Sequence, residues 1–162
     1  MLKISARAFR SPLGGGVLMM ALLALGLTAA PAAAQADGAK VYGTVCSSCH
    51  QANAQGVPGA FPPLSESDWV NGDEARLVKI ILHGVTGEID VGGEIYAGMM
   101  PPWGGGLNDA EVAAVATYVR SNFGNSSPPV TAATVARLRA QYASRKTPWT
   151  VQELAVSAET QK

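Results

Sequence analysis

The chain has 162 residues, 48 % hydrophobic and only 15 % charged, with twelve basic and twelve acidic side chains that cancel. That balance gives no basic excess with which to hold nucleic acid. With two cysteines in the chain, Cys46 and Cys49 account for all its thiol chemistry.

Lys3, Arg7 and Arg10 precede an apolar run from Val17 to Leu27, of signal-peptide length and short for a membrane span. Ala32-Ala33-Ala34 fits the small-x-small cleavage rule, with Gln35 as the new start, and Ala34-Gln35-Ala36 is a second option. Residues 1–34 are therefore expected to be a signal peptide, removed on export. Retained, the stretch from Leu13 to Ala34 would serve as an anchor, the one route by which this chain would meet a membrane. The remaining 128 residues suffice for one domain with a single core, and carry nine basic against twelve acidic side chains.

Asp37 is placed to cap a first helix through Lys40, Val41 and Tyr42. Gly38, Val41, Tyr42 and Val45 share one stripe, and Gly38 would let another helix approach. The helix runs into Cys46-Ser47-Ser48-Cys49-His50, the C-x-x-C-H pattern of covalent haem attachment. Two thiols one helical turn apart reach the two vinyl groups of a porphyrin, and the adjoining imidazole lies where it can ligate the iron. A redox dithiol has no use for that histidine, and a zinc site needs four ligands where His83 is the only other histidine. A structural disulfide is the third competing reading.

The loop Gln55 to Leu64 is full of breakers and forms no regular structure. The carbonyl of Pro62 is a candidate acceptor for the ligand histidine's other ring N–H, although prolines that only stiffen a loop would look the same. Asp73 to His83 reads as a second helix with Leu77, Ile80 and Ile81 inward and Gly84 as its stop. His83 falls in its last turn, where a partly charged imidazole would favour the dipole; it is read as structural. Gly84 to Gly98 is glycine-dotted and read as irregular. In Tyr96 to Trp103, Met99 and Met100 are both candidate thioether ligands, and Pro101 restrains Met100 to extended geometry. Gly104-Gly105-Gly106 lacks the Gly-Lys-Ser/Thr ending of a phosphate loop and reads as a turn.

Asn108 and Glu111 form a capping box for a third helix, with Leu107 and Val112 as its staple. Val112, Val115, Ala116, Val119 and Phe123 make its apolar stripe, expected to cross the first helix near Gly38 and Tyr42, and Gly124 is its stop. After Asn125 the composition shifts. Ser126 to Pro129 reads as a linker, Thr131 to Ser144 as a helix, and Thr150 with Glu153 as a last capping box. Residues 35–124 carry a net charge of −6 and residues 125–162 a net of +3. A basic tail wrapped on its own acidic domain, or one that docks a partner, would give this asymmetry.

Taken together, residues 35–124 resemble a class I c-type cytochrome: a helix entering C-x-x-C-H, a Pro-x-Leu loop, a middle helix, Met-Pro, then a terminal helix with Tyr-Val-Arg. Phe61 to Leu64, Ile80 to Gly84, Tyr96 to Pro101 and Leu107 to Asn125 are similar to the haem domains of cytochromes c associated with periplasmic dehydrogenases. Members of that subgroup often carry three such motifs; this chain carries one. The resemblance implies an all-α class I cytochrome c fold, three main helices around one haem c attached through Cys46 and Cys49, with a C-terminal helical extension. It implies His50 as proximal ligand, Met100 as distal ligand, and the Pro62 carbonyl as partner of His50. Gly38 and Tyr42 match the first-helix contacts with the terminal helix, here Tyr118 and Val119.

The implied function is electron transfer in the periplasm, from a dehydrogenase towards a terminal oxidase or another cytochrome, without catalysis. A haem subunit fixed to one dehydrogenase, or a sensor or peroxidase-like protein that displaces Met100, are the alternatives. A filled pair of axial positions favours the carrier. Met100 must close a loop of about 50 residues, at about 3.5 kcal/mol plus a constant, so it is expected to leave before His50 under alkali or denaturant. Loops at Gly56 to Ala60 and Met99 to Trp103 are expected to frame a small apolar docking patch.

Overall fold

The computed structural model describes residues 36–159, so the expected signal segment and its cleavage site lie outside the described residues. The first helical run begins at α1 (Gly38–Val41), where Asp37 caps by accepting from the Lys40 N–H. It continues through a π-helical segment, Tyr42–Cys46, into α2 (Ser47–His50). α3 (Asp68–Asn71) is a short turn capped by Ser67, and α4 (Glu74–His83) starts on the Asp73 carboxylate. α5 (Asp109–Ser121) carries the full Asn108–Glu111 capping box, and α6 (Ala132–Gln141) starts on Thr131. α7 (Val151–Glu159) follows Thr150, whose hydroxyl accepts from the Glu153 N–H while the Glu153 carboxylate accepts from the Thr150 N–H.

One core joins the first helical run, α4, α5 and α6. Val78, Val112, Ala116, Val135 and Leu138 are fully buried in it. α1 crosses α5 with Gly38 against Ala114 and Tyr118, and Tyr42 stacks beside Tyr118 and Phe123 with ring centroids 5.6 and 5.1 Å away. A smaller cluster, Ile80, Trp149 and Leu154, lies alongside it, with Val85 and Met100 packed against it.

The stretch read as irregular is a β-hairpin: β1 (Val85–Val91) pairs antiparallel with β2 (Glu94–Met100), Val85 opposite Met100. The all-α expectation thus holds for the helical core and omits this sheet. Its turn is Gly92-Gly93, both at positive φ, with the Asp90 carboxylate accepting from the Gly93 N–H. Two glycines between alternating Ile89, Val91 and Ile95 are the available hairpin signal. The sheet is completed by β3 (Trp149–Thr150), which pairs parallel with β1, giving the order β2-β1-β3.

The end of the terminal helix also differs from expectation. α5 stops at Ser121 rather than running to Gly124, because Asn122 turns extended and its side-chain amide donates to the Tyr118 carbonyl. Phe123 then adopts φ 58°, which places its ring on Tyr42 and Tyr118. The linker that follows is pinned to the fold at its start. Buried Asn125 donates to the Leu64 and Val119 carbonyls and accepts from Asn71. The tail lies on its own domain: Arg139 meets Asp109 at 2.6 Å and donates to the carbonyls of Gly104 and Leu107.

Candidate functional site

The helical run delivers Cys46, Cys49 and His50 to one side of a deep, mostly apolar cleft. His50 is buried, and its Nδ1 lies 2.9 Å from the Pro62 carbonyl oxygen. A carbonyl can only accept, so Nδ1 carries the proton and the lone pair is on Nε2. Burial lowers the basicity of the ring, against the opposing pull of the Pro62 carbonyl, so the imidazole is held neutral. A neutral, oriented imidazole with one bare nitrogen is what a metal ligand requires.

Two local devices set that geometry. Tyr42 donates its hydroxyl to the Gln51 carbonyl at 2.7 Å, fixing the turn that ends α2. Gly56 has φ +64°, and a Cβ there would run into the Phe61 carbonyl oxygen and lie 2.6 Å from that of Pro62. Only glycine lets the loop double back and bring Pro62 over His50. The Gly56 N–H donates to the His50 carbonyl, closing the loop on the motif.

The cysteines are not joined to each other. Burial, with help from Cys49, pushes the Cys46 thiol up to about 11. A thiol so disfavoured as thiolate is a poor redox nucleophile, which argues against the dithiol reading. His83 lies away from this cleft. Burial first, then Arg145, Arg139 and Lys146, lowers its basicity, so it is a neutral ring edge-on to Tyr142 and Trp149 rather than a partly charged helix cap.

Met100 comes to the same cleft from the end of β2. It is half-buried there, while Met99, which also borders the cleft, leaves 64 % of its surface exposed. Gly84, at φ +77°, stops α4 under this segment; a Cβ would strike the Met100 carbonyl oxygen and lie 3.2 Å from Pro101 and Pro102 backbone atoms. Hydrophobic Leu77, Ile81, Val115 and Val119 line the interior, and exposed Phe61 stands among the lining residues.

Trp69, absent from the sequence-based site, lines the cleft and donates its indole N–H to the Asp90 carbonyl at 2.8 Å, tying α3 to the hairpin. Glu94, also missed, accepts from the Gly59 N–H and the Tyr96 hydroxyl, linking the hairpin tip to the proline-rich loop. Neither has a local sequence signature, since the Trp69–Asp90 and Glu94–Gly59 ties join distant parts of the chain. Among the described residues no cluster of three or more His, Cys, Asp or Glu could hold a bare metal ion. The donor set of two thiols, an imidazole and a thioether, spread around a largely apolar cleft, fits instead an iron carried in a flat hydrophobic ring.

Residues 35–123 match the Cytochrome c family model. The chain is 41 % identical over 132 residues to a cytochrome c-552 of Thermus thermophilus, covering 76 % of this chain and 86 % of that protein. It is 35 % identical over 106 residues to the Cbb3-type cytochrome c oxidase subunit CcoP of Azospirillum brasilense, covering 62 % of this chain and 32 % of that one. The fructose dehydrogenase cytochrome subunit of Gluconobacter japonicus is 35 % identical over 111 residues, or 64 % of this chain and 22 % of that subunit.

Proposed function

We propose, from the premise that the chain belongs to the cytochrome c family and carries one haem c on Cys46 and Cys49, that it is an exported one-electron carrier with His50 and Met100 as axial ligands. The observation that carries this reading is the convergence of His50 and Met100, from elements far apart in sequence, on one apolar cleft. The bound haem supplies an iron couple that gains and loses one electron. This chain's residues do the rest. The two cysteines anchor the ring edge. His50 is kept neutral by burial and oriented by the Pro62 carbonyl. Met100 offers a soft sulfur that favours reduced iron and raises the potential. His50 and Met100, were both to hold the iron, would leave peroxide or a gas no place to bind, which argues for a carrier over an enzyme.

The redox partners fit a dehydrogenase as donor and an oxidase or another cytochrome as acceptor, in keeping with the names of the relatives. Val57, Phe61, Ile95 and Met99 are large apolar side chains left exposed, and Phe61 and Met99 line the cleft itself. A small apolar patch of this kind suits brief electron-transfer encounters. Export to the periplasm rests on the N-terminal segment, and no helix among the described residues is long and apolar enough to cross a membrane. The mass of the native protein reads the fate of residues 1–34.

The ligand assignment is tested on the ferric protein by the weak red absorption band of sulfur-to-iron charge transfer. Met100→Ala removes the band and lowers the potential, whereas Met99→Ala leaves both in place. A band that survives Met100→Ala refutes the assignment.

A further inference from the structure

We infer that the C-terminal extension is a positioning device for Met100, acting through Trp149; the inference rests on the His50/Met100 reading above. Met100 ends the outer strand of the sheet, so its place is set by its partner across β1, Val85. Val85 is held on its other side by Trp149, in parallel register, and Thr86 by Thr150. The Trp149 N–H donates to the Gly84 carbonyl at 3.0 Å, directly under the Met100 backbone. Two strands alone are marginal in water, and this hairpin carries Gly87 and Gly98 inside its strands, which weaken it further. The third strand makes the ladder hold at the end where the sulfur ligand sits.

The side chains serve the same purpose. Trp149 is buried with Ile80 and Leu154, and Met100 packs on that cluster. The indole Nε1 is buried without a partner, so this ring is kept for its shape and not for a hydrogen bond. Lys79, wholly buried, places its ammonium 5.6 Å from the Trp149 ring and 5.3 Å from that of Tyr142. Arg145 covers the outer face of Trp149 at 3.6 Å and donates to the Thr147 and Pro148 carbonyls and to Glu153. Downstream of Met100, the Trp103 and Gly104 N–H groups donate to Ile81 and Leu82 of α4. Met100 therefore spans two anchors, and the extension supplies one of them.

The extension thereby sets how often the sulfur leaves the iron, apart from how stable the whole fold is. Added imidazole binds ferric iron only when Met100 is off, so its apparent affinity reads that open fraction. The full-length ferric holoprotein is titrated with imidazole while the red band is followed, and thermal unfolding is recorded on the same samples. Trp149→Ala tightens apparent imidazole binding by about tenfold, and Arg145→Met by about threefold. Trp149→Phe, which keeps a ring, stays within about twofold of the parent. Leu138→Ala, a cavity in the part of the extension packed on the main core, lowers the unfolding midpoint yet also stays within about twofold.

An unchanged affinity in Trp149→Ala, or equal tightening in Leu138→Ala, overturns the inference. Should Trp149→Ala fail to fold, Arg145→Met decides by the same comparison. A parent protein with no red band, or one that keeps it in Met100→Ala, overturns the ligand reading and this inference with it. A Met100-dependent band whose titration with imidazole ignores position 149 overturns this inference alone.

Discussion

Gly38→Ala tests how closely α1 and α5 are packed, and thereby how the haem-binding motif is held against the terminal helix. A Cβ built on Gly38 collides with the Ala114 carbonyl oxygen and lies 2.7 Å from the Ala114 carbonyl carbon and 2.8 Å from the Tyr118 Cβ. Ordinary contact begins near 3.4 Å, and the nearest atoms are helix backbone, which cannot swing aside. The helices would have to part by at least about 0.7 Å, enough to forfeit a quarter to a half of the dispersion energy of each loosened contact. Overpacking of this kind costs about 1–3 kcal/mol. Alanine's better helix propensity returns up to about 1 kcal/mol, and less in a first turn. The net loss is about 1–2 kcal/mol, a fall of about 4–8 °C in the unfolding midpoint for a domain of this size. Gly43→Ala is the internal control. Its Cβ would meet nothing within 4 Å, so propensity acts alone and the midpoint rises by about 2–4 °C. Far-UV circular dichroism of the two ferric holoproteins, melted side by side, gives both numbers. If Gly38→Ala matched Gly43→Ala, the close crossing would be refuted.

Other perturbations follow from single buried or half-buried groups. Arg120 is 4 % exposed and donates to the carbonyls of Val70, Gly72 and Pro128, joining α5 to α3 and to the start of the tail. Arg120→Met orphans those three acceptors and should cost about 3 kcal/mol in urea unfolding; a cost below about 1 kcal/mol would mean that water replaces the guanidinium. His83 has its pKa lowered by burial and then by Arg145, Arg139 and Lys146. A base whose folded pKa lies below its unfolded value of about 6.5 lends its full stability above that value. The stability drains as pH falls from there towards the folded pKa, because only the unfolded chain takes up the proton. Between about pH 8 and pH 5 the urea midpoint of the parent should therefore fall more than that of His83→Gln, and parallel curves would exclude His83 as the cause.

What can be read from the sequence are the features whose partners lie within a turn or two of each other. Asp37 with Lys40, Asn108 with Glu111 and Thr150 with Glu153 are three residues apart, so the caps are written in the letters themselves. Gly38 stands out as a place for close approach because it shares a stripe with Tyr42. The hairpin escapes a pattern reading because its glycines dilute the alternation that marks a strand, although Gly92-Gly93 is itself a turn signal. Asn125 reads as the edge of a linker because an amide beside serines and prolines looks like loop. Nothing local reveals that it reaches the Leu64 carbonyl across the fold.

The same division of near from far separates the two proposed iron ligands. His50 adjoins Cys49, and the Pro62 that orients it lies twelve residues on, inside a loop closed by Gly56. Its geometry survives as long as that loop does. Met100 has no such neighbour: its strand leans on Val85, and Val85 leans on Trp149, each tie crossing to a different part of the chain. Closing those separations costs entropy that no spacing rule displays. On the proposed ligation, a histidine set by local chemistry and a methionine set by tertiary structure would give a centre whose stability to ligand loss is a property of the whole fold. On that reading the potential of the iron would be coupled to the integrity of the C-terminal extension, and a change at position 149 is expected to be felt at position 100 before it is felt at position 50.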